Sequence, residues 1–175
     1  MNQTIKDMLE RRSCRKFKGN MVPKELIDQV IEAGLYAANG MGKQAVRIIA
    51  VTNRELRDRI SEDNRKIGGW KEGFDPFYGA PVILIVLGDK ACPTCVYDGS
   101  LVMGNLMLAA HSLGLGSIWI HRAKQEFETE PYQELLKKLG IEGDFEGVGH
   151  CAIGYADGEM PPAAPRKEGR VYYAE

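Results

Sequence analysis

Excess charge of either sign is missing from this 175-residue chain: 23 Lys and Arg stand against 24 Asp and Glu, a formal net of -1. That balance excludes a global basic field of the kind that gathers nucleic acid or an anionic membrane, and no partner of either class is expected. Cysteine is sparse, with only Cys14, Cys92, Cys95 and Cys151, which excludes a disulfide scaffold. The cysteines and the three histidines, His111, His121 and His150, show no metal-ligand spacing, so no metal is expected and the histidines read as structural. The segment Met1-Asn2-Gln3-Thr4-Ile5-Lys6-Asp7 lacks an apolar core, so it is not read as a secretory signal and a cytoplasmic location is expected. Walker, GxGxxG, HExxH and GxSxG patterns are all missing, as are repeats, low-complexity runs and long linkers. A single domain over residues 1–175 follows. By area scaling it should expose ~8,500 Å² when folded.

One stretch lacks charge altogether. From Gly99 to His121 there is no Asp, Glu, Lys or Arg, which is long enough to span a membrane. Asn105, His111, Ser112 and Ser117 interrupt it, and Gly114 and Gly116 break its end. A helix over 97–113 followed by a strand over 117–121 fits better than a membrane span. A helix apolar on all sides must be buried on all sides, and self-association is one way to bury it.

The remaining elements follow from periodicity and caps. A first helix spans 3–11 with Ile5, Met8 and Leu9 on one face and Asn2 or Thr4 as cap. A second spans 23–38 behind Pro23 and carries Leu26, Ile27, Val30, Ile31 and Leu35. Arg47–Thr52 reads as a strand, and Asn53 caps a third helix bearing Leu56, Ile60 and Ile67. Residues 68–81 form a loop. Val82–Leu87 is a continuous apolar run typical of a fully buried strand. A helix ending at Leu135, Leu136 and Leu139, a strand over 147–155 and an extended Pro-rich tail over 157–175 complete the chain. The pattern indicates an α+β fold: a central, mostly antiparallel sheet surrounded by helices, one of them long, apolar and buried.

Four segments carry possible chemistry. Arg11-Arg12-Ser13-Cys14-Arg15-Lys16-Phe17-Lys18 puts five cations and a serine hydroxyl after the first helix. Guanidinium groups bind phosphate bidentately, although cations at a helix C-terminus also suit its dipole. Arg166-Lys167 with Arg170 forms a second basic cluster in the tail, and a meeting of the two clusters at one anion would be informative. In Ala38-Asn39-Gly40-Met41-Gly42-Lys43-Gln44, the Asn39 and Gln44 amides suit the edge of a heterocycle, or the segment is a plain turn. Cys92-Pro93-Thr94-Cys95 lies between a strand and a helix, where a thiol pKa can fall, or its thiols are incidental.

In order along the chain, RRSCRKF, ANGMGKQ, YGAPVILIV, DGSLVMGNLMLAAHSLGLGSIWIHRA, GHCAIGY and the final PRK resemble the nitroreductase family of flavin enzymes. The resemblance implies a homodimer with FMN at the subunit interface. It implies that Arg11, Ser13 and Arg15 bind the flavin, with Arg12 facing it, and that Arg166 and Lys167 hold its phosphate. Asn39 falls near the flavin-contacting turn, and Gln44 matches a glutamine that arrives from the other subunit. Ile118, Trp119 and Ile120 match the strand beside the ring. The implied reaction is ping-pong: NADH or NADPH gives a hydride to flavin N5, and a nitroaromatic, quinone or related small acceptor then takes the electrons. No catalytic side chain is implied, because the cofactor carries the chemistry. Trp70, Phe74, Phe77 and Tyr78 are candidates for the acceptor pocket or for ordinary core. Gln44-Ala45-Val46 departs from the Gln-Pro-Trp of many members. Two other readings stay open: a thiol–disulfide protein using Cys92 and Cys95, and a flavin-binding protein with another reaction, such as dehalogenation.

Overall fold

Val82–Leu87 is apolar without alternation because helices cover both faces of the strand it forms. In the computed structural model, which describes residues 1–175, four strands form one antiparallel sheet. They are β1 (Val46–Val51), β2 (Val82–Asp89), β3 (Gly116–Ile120) and β4 (Phe145–Gly154), in the spatial order β1-β2-β4-β3. Six helices surround the sheet: α1 (Gln3–Glu10), α2 (Lys24–Leu35), α3 (Arg54–Gly68), α4 (Cys95–Ser112), α5 (Ala123–Phe127) and α6 (Glu130–Lys138). The α+β class read from the sequence is the observed one.

The strand period divides the core in two. Val82, Leu84 and Val86 pack with Ile27, Val30, Val102, Met103 and Leu106 of α2 and α4. Ile83, Ile85 and Leu87 pack with Ile60, Phe127, Tyr132 and Leu136 of α3, α5 and α6. All six β2 side chains are fully buried, each worth roughly 1.5–3 kcal/mol. Across from β2, Val148 is the extra residue of a bulge, since Val86 pairs with Gly149 and Leu87 with Gly147. A Cβ on Gly147 would lie 2.2 Å from the Ala123 carbonyl, so glycine is what lets α5 press directly on β4.

Several expectations need correction. α4 is buried on one face only: Cys95, Asp98, Gly99, Val102, Met103, Leu106 and Ala110 are covered, while Tyr97 and Leu101 are exposed. It is an outer-layer helix, and a single chain supplies nothing to cover its second apolar face. The stripe on α1 is likewise uncovered, with Ile5, Met8 and Leu9 all exposed. α2 stops at Leu35, short of residue 38, and Pro23 sits at its N-cap position with no N–H to leave unpaired. The short α5 has too little length for a period to be visible in sequence. Asn2 and Asn53 are the caps, accepting from Ile5 N and Leu56 N.

Loop 69–81 is pinned by a buried cation. Arg57 on α3 donates through Nε to Ala80 O at 3.0 Å, pairs with Asp75 and stacks 5.6 Å from the Phe77 ring centroid. Asp75 in turn accepts from Ser61 Oγ, Phe77 N and Gly79 N. Burial pushes the Asp75 carboxyl up, but the hydrogen bonds from Arg57 and Ser61 and the Arg57 charge outweigh it, leaving the carboxyl below its ordinary value. A lowered folded value stabilises the fold above the unfolded pKa and is lost as pH falls through the folded one. The urea midpoint should therefore drop as the pH is taken below about 4, and Asp75→Asn should flatten that decline.

A second buried polar cluster fixes the end of β3. His150 and Glu126 are both fully buried, with Nε2 and Oε2 2.7 Å apart. Asn64 Nδ2 donates to Glu126 Oε1 and to His121 O, both at 2.8 Å, so α3 and α5 together hold the backbone where β3 ends.

The two chain ends meet beside β3. Ser13 bridges Ser117 in parallel, with Cys14 N donating to Ser117 O at 2.9 Å. Lys18 N donates to Tyr155 O and Asp157 N to Lys16 O, which ties the exit of β4 to the N-terminal segment. Residues 158–175 then run exposed throughout. The accessible surface is 10,686 Å², about a quarter more than the ~8,500 Å² that area scaling gives for this mass.

Candidate functional site

The extended segment after α1 and the returning tail form a cleft between them. Arg11, Arg12, Ser13 and Arg15 line one side, and Pro161, Ala163, Ala164 and Arg166 line the other. Arginines from opposite ends of the sequence, Arg11, Arg12 and Arg15 on one side and Arg166 on the other, thus share one cleft, and its lining contains no carboxylate. Arg12 spends one nitrogen on the end of α1, its Nη1 donating to Leu9 O at 2.6 Å and Arg11 O at 2.7 Å. Two donors remain unmatched: Arg11 Nη1 and Arg12 Nε are buried with no hydrogen-bond partner. A buried unpaired guanidinium donor is costly unless an acceptor arrives, and a cleft lined by arginines with no acid has the chemistry to take an oxyanion. Arg166 is exposed and folds back on Ala164 O. Lys167 lies outside the cleft, farther along the tail beside Glu168 and Arg170.

The cleft opens at the start of β3, and a broad groove of about 740 Å³ opens at its end. Trp119 lines that groove together with His121, Arg122 and Lys124. Ile118 and Ile120 turn their side chains into the core, so this edge strand offers a planar ligand its backbone and Trp119. Four residues of strand at ~3.3 Å each separate cleft and groove by roughly 13 Å.

Asn39 and Gln44 are elsewhere in the single chain. Asn39 Oδ1 accepts from Gln44 N at 2.9 Å and closes a strained turn, in which Met41 and Gln44 have φ of 54° and 49°. Gly40 N donates to Asp98 Oδ1, and a Cβ on Gly40 would lie 2.3 Å from Thr94 Oγ1. Both amides line a different groove, beside Ile31, Leu35 and Val102.

The four aromatics divide. Phe77 is fully buried, edge-on to His150 at 5.3 Å, and is core, because Arg57 anchors the loop through it. Trp70, Phe74 and Tyr78 are half-buried and meet in series, tilted at 5.3 Å and edge-on at 5.9 Å. The Arg122 guanidinium lies 4.3 Å over Trp70.

Cys92 and Cys95 are both buried. Burial and the nearby Glu146 charge push the Cys95 thiol up, the reverse of what a thiolate nucleophile requires. No group of three or more His, Cys, Asp or Glu is placed to hold a metal ion, and no helix is long and apolar enough to cross a membrane.

Residues 8–155 match the family described as "Nitroreductase family", which is most of the chain. The chain belongs to the nitroreductase family. A putative NADH dehydrogenase/NAD(P)H nitroreductase of Methanothermobacter thermautotrophicus is 36% identical over 121 residues, covering 65% of this chain and 60% of that one. The chain thus spans less than two thirds of that relative's length. An NADPH-flavin oxidoreductase of Vibrio harveyi is 31% identical over 184 residues, covering 100% of this chain and 74% of its own. Among solved structures, a nitroreductase with bound FMN from Desulfitobacterium hafniense superposes with a TM-score of 0.88 at 30% identity over the full length of both chains. An iodotyrosine deiodinase of Thermotoga neapolitana is 26% identical over 182 residues, 94% of each chain.

This nitroreductase-family chain carries two groove residues that sequence reasoning passed over. His121 was grouped with the structural histidines but is exposed and lines the groove. Arg122 holds a φ of 85°, a left-handed conformation that nothing about an arginine announces. The only sequence signal for either was a basic pair directly after a strand.

Proposed function

We propose that two copies of this chain assemble around FMN and use NADH or NADPH to reduce a small acceptor, a nitroaromatic, a quinone or a related molecule. The observation that carries the reading is the cleft where Arg11, Arg12, Ser13 and Arg15 meet Arg166 with no carboxylate among them, two of these arginines also holding a buried donor without a partner. These residues fit a phosphate monoester: they supply forked donors and a hydroxyl, and they oppose it with no acid. FMN bound there supplies hydride acceptance and donation at its ring, the nicotinamide and the acceptor using it in turn. Arg11, Arg12, Ser13, Arg15 and Arg166 hold the phosphate end, with Lys167 adding charge nearby. The β3 edge at Ile118, Trp119 and Ile120 orients the ring, and Trp70, Phe74 and Tyr78 wall the approach.

Assembly in pairs follows from what a single chain leaves bare. Tyr97 and Leu101 on α4, Ile5, Met8 and Leu9 on α1, and Met160, Val171, Tyr172 and Tyr173 in the tail are all exposed. Apolar surface on that scale marks an interface, and the excess accessible area points the same way. In the dimer, Asn39 and Gln44 of one subunit reach the flavin of the other. The setting is cytoplasmic, which suits four unpaired cysteines.

The test is NADH and NADPH oxidation by the FMN-loaded protein with menadione and nitrobenzene as acceptors, in the natural chain and in Cys92→Ser/Cys95→Ser. Parallel double-reciprocal lines and unchanged rates in the double variant are expected. Loss of activity with the cysteines would hand the reaction to the thiols. The likeness to a deiodinase favours one second reading, dehalogenation, which iodide release from iodotyrosine by the reduced protein would establish.

A further inference from the structure

The groove at the end of β3 has a built interior. Its apolar walls are Trp119, Ile67 and Val148, the last turned by the β4 bulge. Its one acid, Glu146, is held by Lys124 at 3.2 Å, which leaves the Arg122 guanidinium without a carboxylate. Arg122 is half-buried, and its guanidinium carbon lies 4.3 Å from the Trp70 ring centroid. An arginine stacked on an aromatic ring loses little freedom on binding, because its fork is already oriented. Its backbone is strained at φ 85°, and residue 121 just before it is clamped through Asn64. Strain of this kind persists where a side chain must be aimed.

We propose that this groove is an oxyanion-recognising subsite for a planar aromatic ligand, with Arg122 as the residue that selects for the anion. The proposal rests on the reading above only in taking the ligand to be one of the two redox partners. The apolar walls hold the ring, and Arg122, with His121 beside it, holds a carboxylate or phosphate. The anion belongs either to an aromatic-acid acceptor or to the phosphate of the nicotinamide donor.

Both tryptophans of the chain are at this site, Trp70 beneath Arg122 and Trp119 in the groove wall, so intrinsic fluorescence reports on it directly. The protein is titrated with 4-nitrobenzoate, with neutral 4-nitrobenzamide, and with NADPH against NADH, in the presence and absence of FMN. In the acceptor case, 4-nitrobenzoate binds the natural chain more tightly than the amide. Arg122→Gln then weakens the acid by roughly ten- to a hundredfold and leaves the amide unchanged, the loss expected for a charge-assisted bidentate contact. In the donor case, the same substitution weakens NADPH and leaves NADH and both nitro compounds unchanged. Arg122→Lys, which keeps the charge without the fork, should fall between the natural chain and Arg122→Gln in either case. Equal binding of acid and amide, with no effect of Arg122→Gln on any of the four ligands, would overturn the proposal. A protein that fails to hold FMN but still prefers the acid would sink the redox reading and leave the subsite standing.

Discussion

Arg11→Ala is expected to weaken FMN binding by roughly a hundredfold while leaving riboflavin affinity nearly unaltered. Hydrogen bonds to charged groups contribute about 1.5–3 kcal/mol each, and about 1.4 kcal/mol is a factor of ten in affinity. Riboflavin lacks the phosphate, so a residue that holds only the phosphate has nothing to lose with it. The geometry adds a control. Arg11 Nη1 is buried and unpartnered without ligand, so removing it relieves a cost and the ligand-free variant should be no less stable than the natural chain. Isothermal titration with both ligands and a urea melt of the free protein measure all three quantities. Equal weakening of FMN and riboflavin would mean that Arg11 does not sit at the phosphate. Arg166→Ala should show the same selectivity to a smaller extent, because Arg166 is exposed and already donates to Ala164 O.

Arg57→Ala is expected to cost about 3 kcal/mol of stability, the scale for removing one partner of a largely buried ion pair. The deletion removes the cation paired with the Asp75 carboxylate, takes the Nε donor from the Ala80 carbonyl and takes a cation from the Phe77 face. At about 2–4 °C per kcal/mol for a chain of this size, the melting temperature should fall by roughly 6–12 °C. Arg57→Lys keeps the charge but not the planar fork that reaches Ala80 O and Asp75 from separate nitrogens, and should recover only part of the loss. A shift within 2 °C for Arg57→Ala would mean that loop 69–81 is held by something else.

The comparison of these two arginines explains what the sequence made visible. Arg11 stands in a run of cations, a pattern that suits an anion as well as a helix C-terminus, and the family resemblance singles out the anion. Arg57 stands in an ordinary charged helix, and its burial depends on a loop partner that no local pattern reveals. The same limit applies across the site. Val82–Leu87 announced a strand covered on both faces because continuous apolarity has that single cheap explanation. Arg166 is marked as a phosphate ligand only by the family resemblance, and its meeting with Arg11 depends on the pairing of Lys16 and Asp157 at the exit of β4, which no spacing encodes. Phe77 and Phe74 look alike in sequence. One is core and the other half-buried because Arg57 fixes the register of the loop between them and β2. α4 looked buried throughout because its composition is apolar all round, but Tyr97 and Leu101 face outward from a single chain. That uncovered face is now the best argument for a second copy. Arg122 was hidden for a different reason: its conformation is set by the β3–α5 junction, and its amino-acid type gives no hint of a positive φ.

The visible absorption spectrum of the purified protein, recorded after FMN addition and desalting and then after anaerobic NADH or NADPH, tests the central claim most directly. A band near ~450 nm is expected to survive desalting at about one flavin per chain and to bleach with at least one of the two nicotinamides. A folded protein that comes off the column colourless, or one whose band no reductant of this class bleaches, would contradict it.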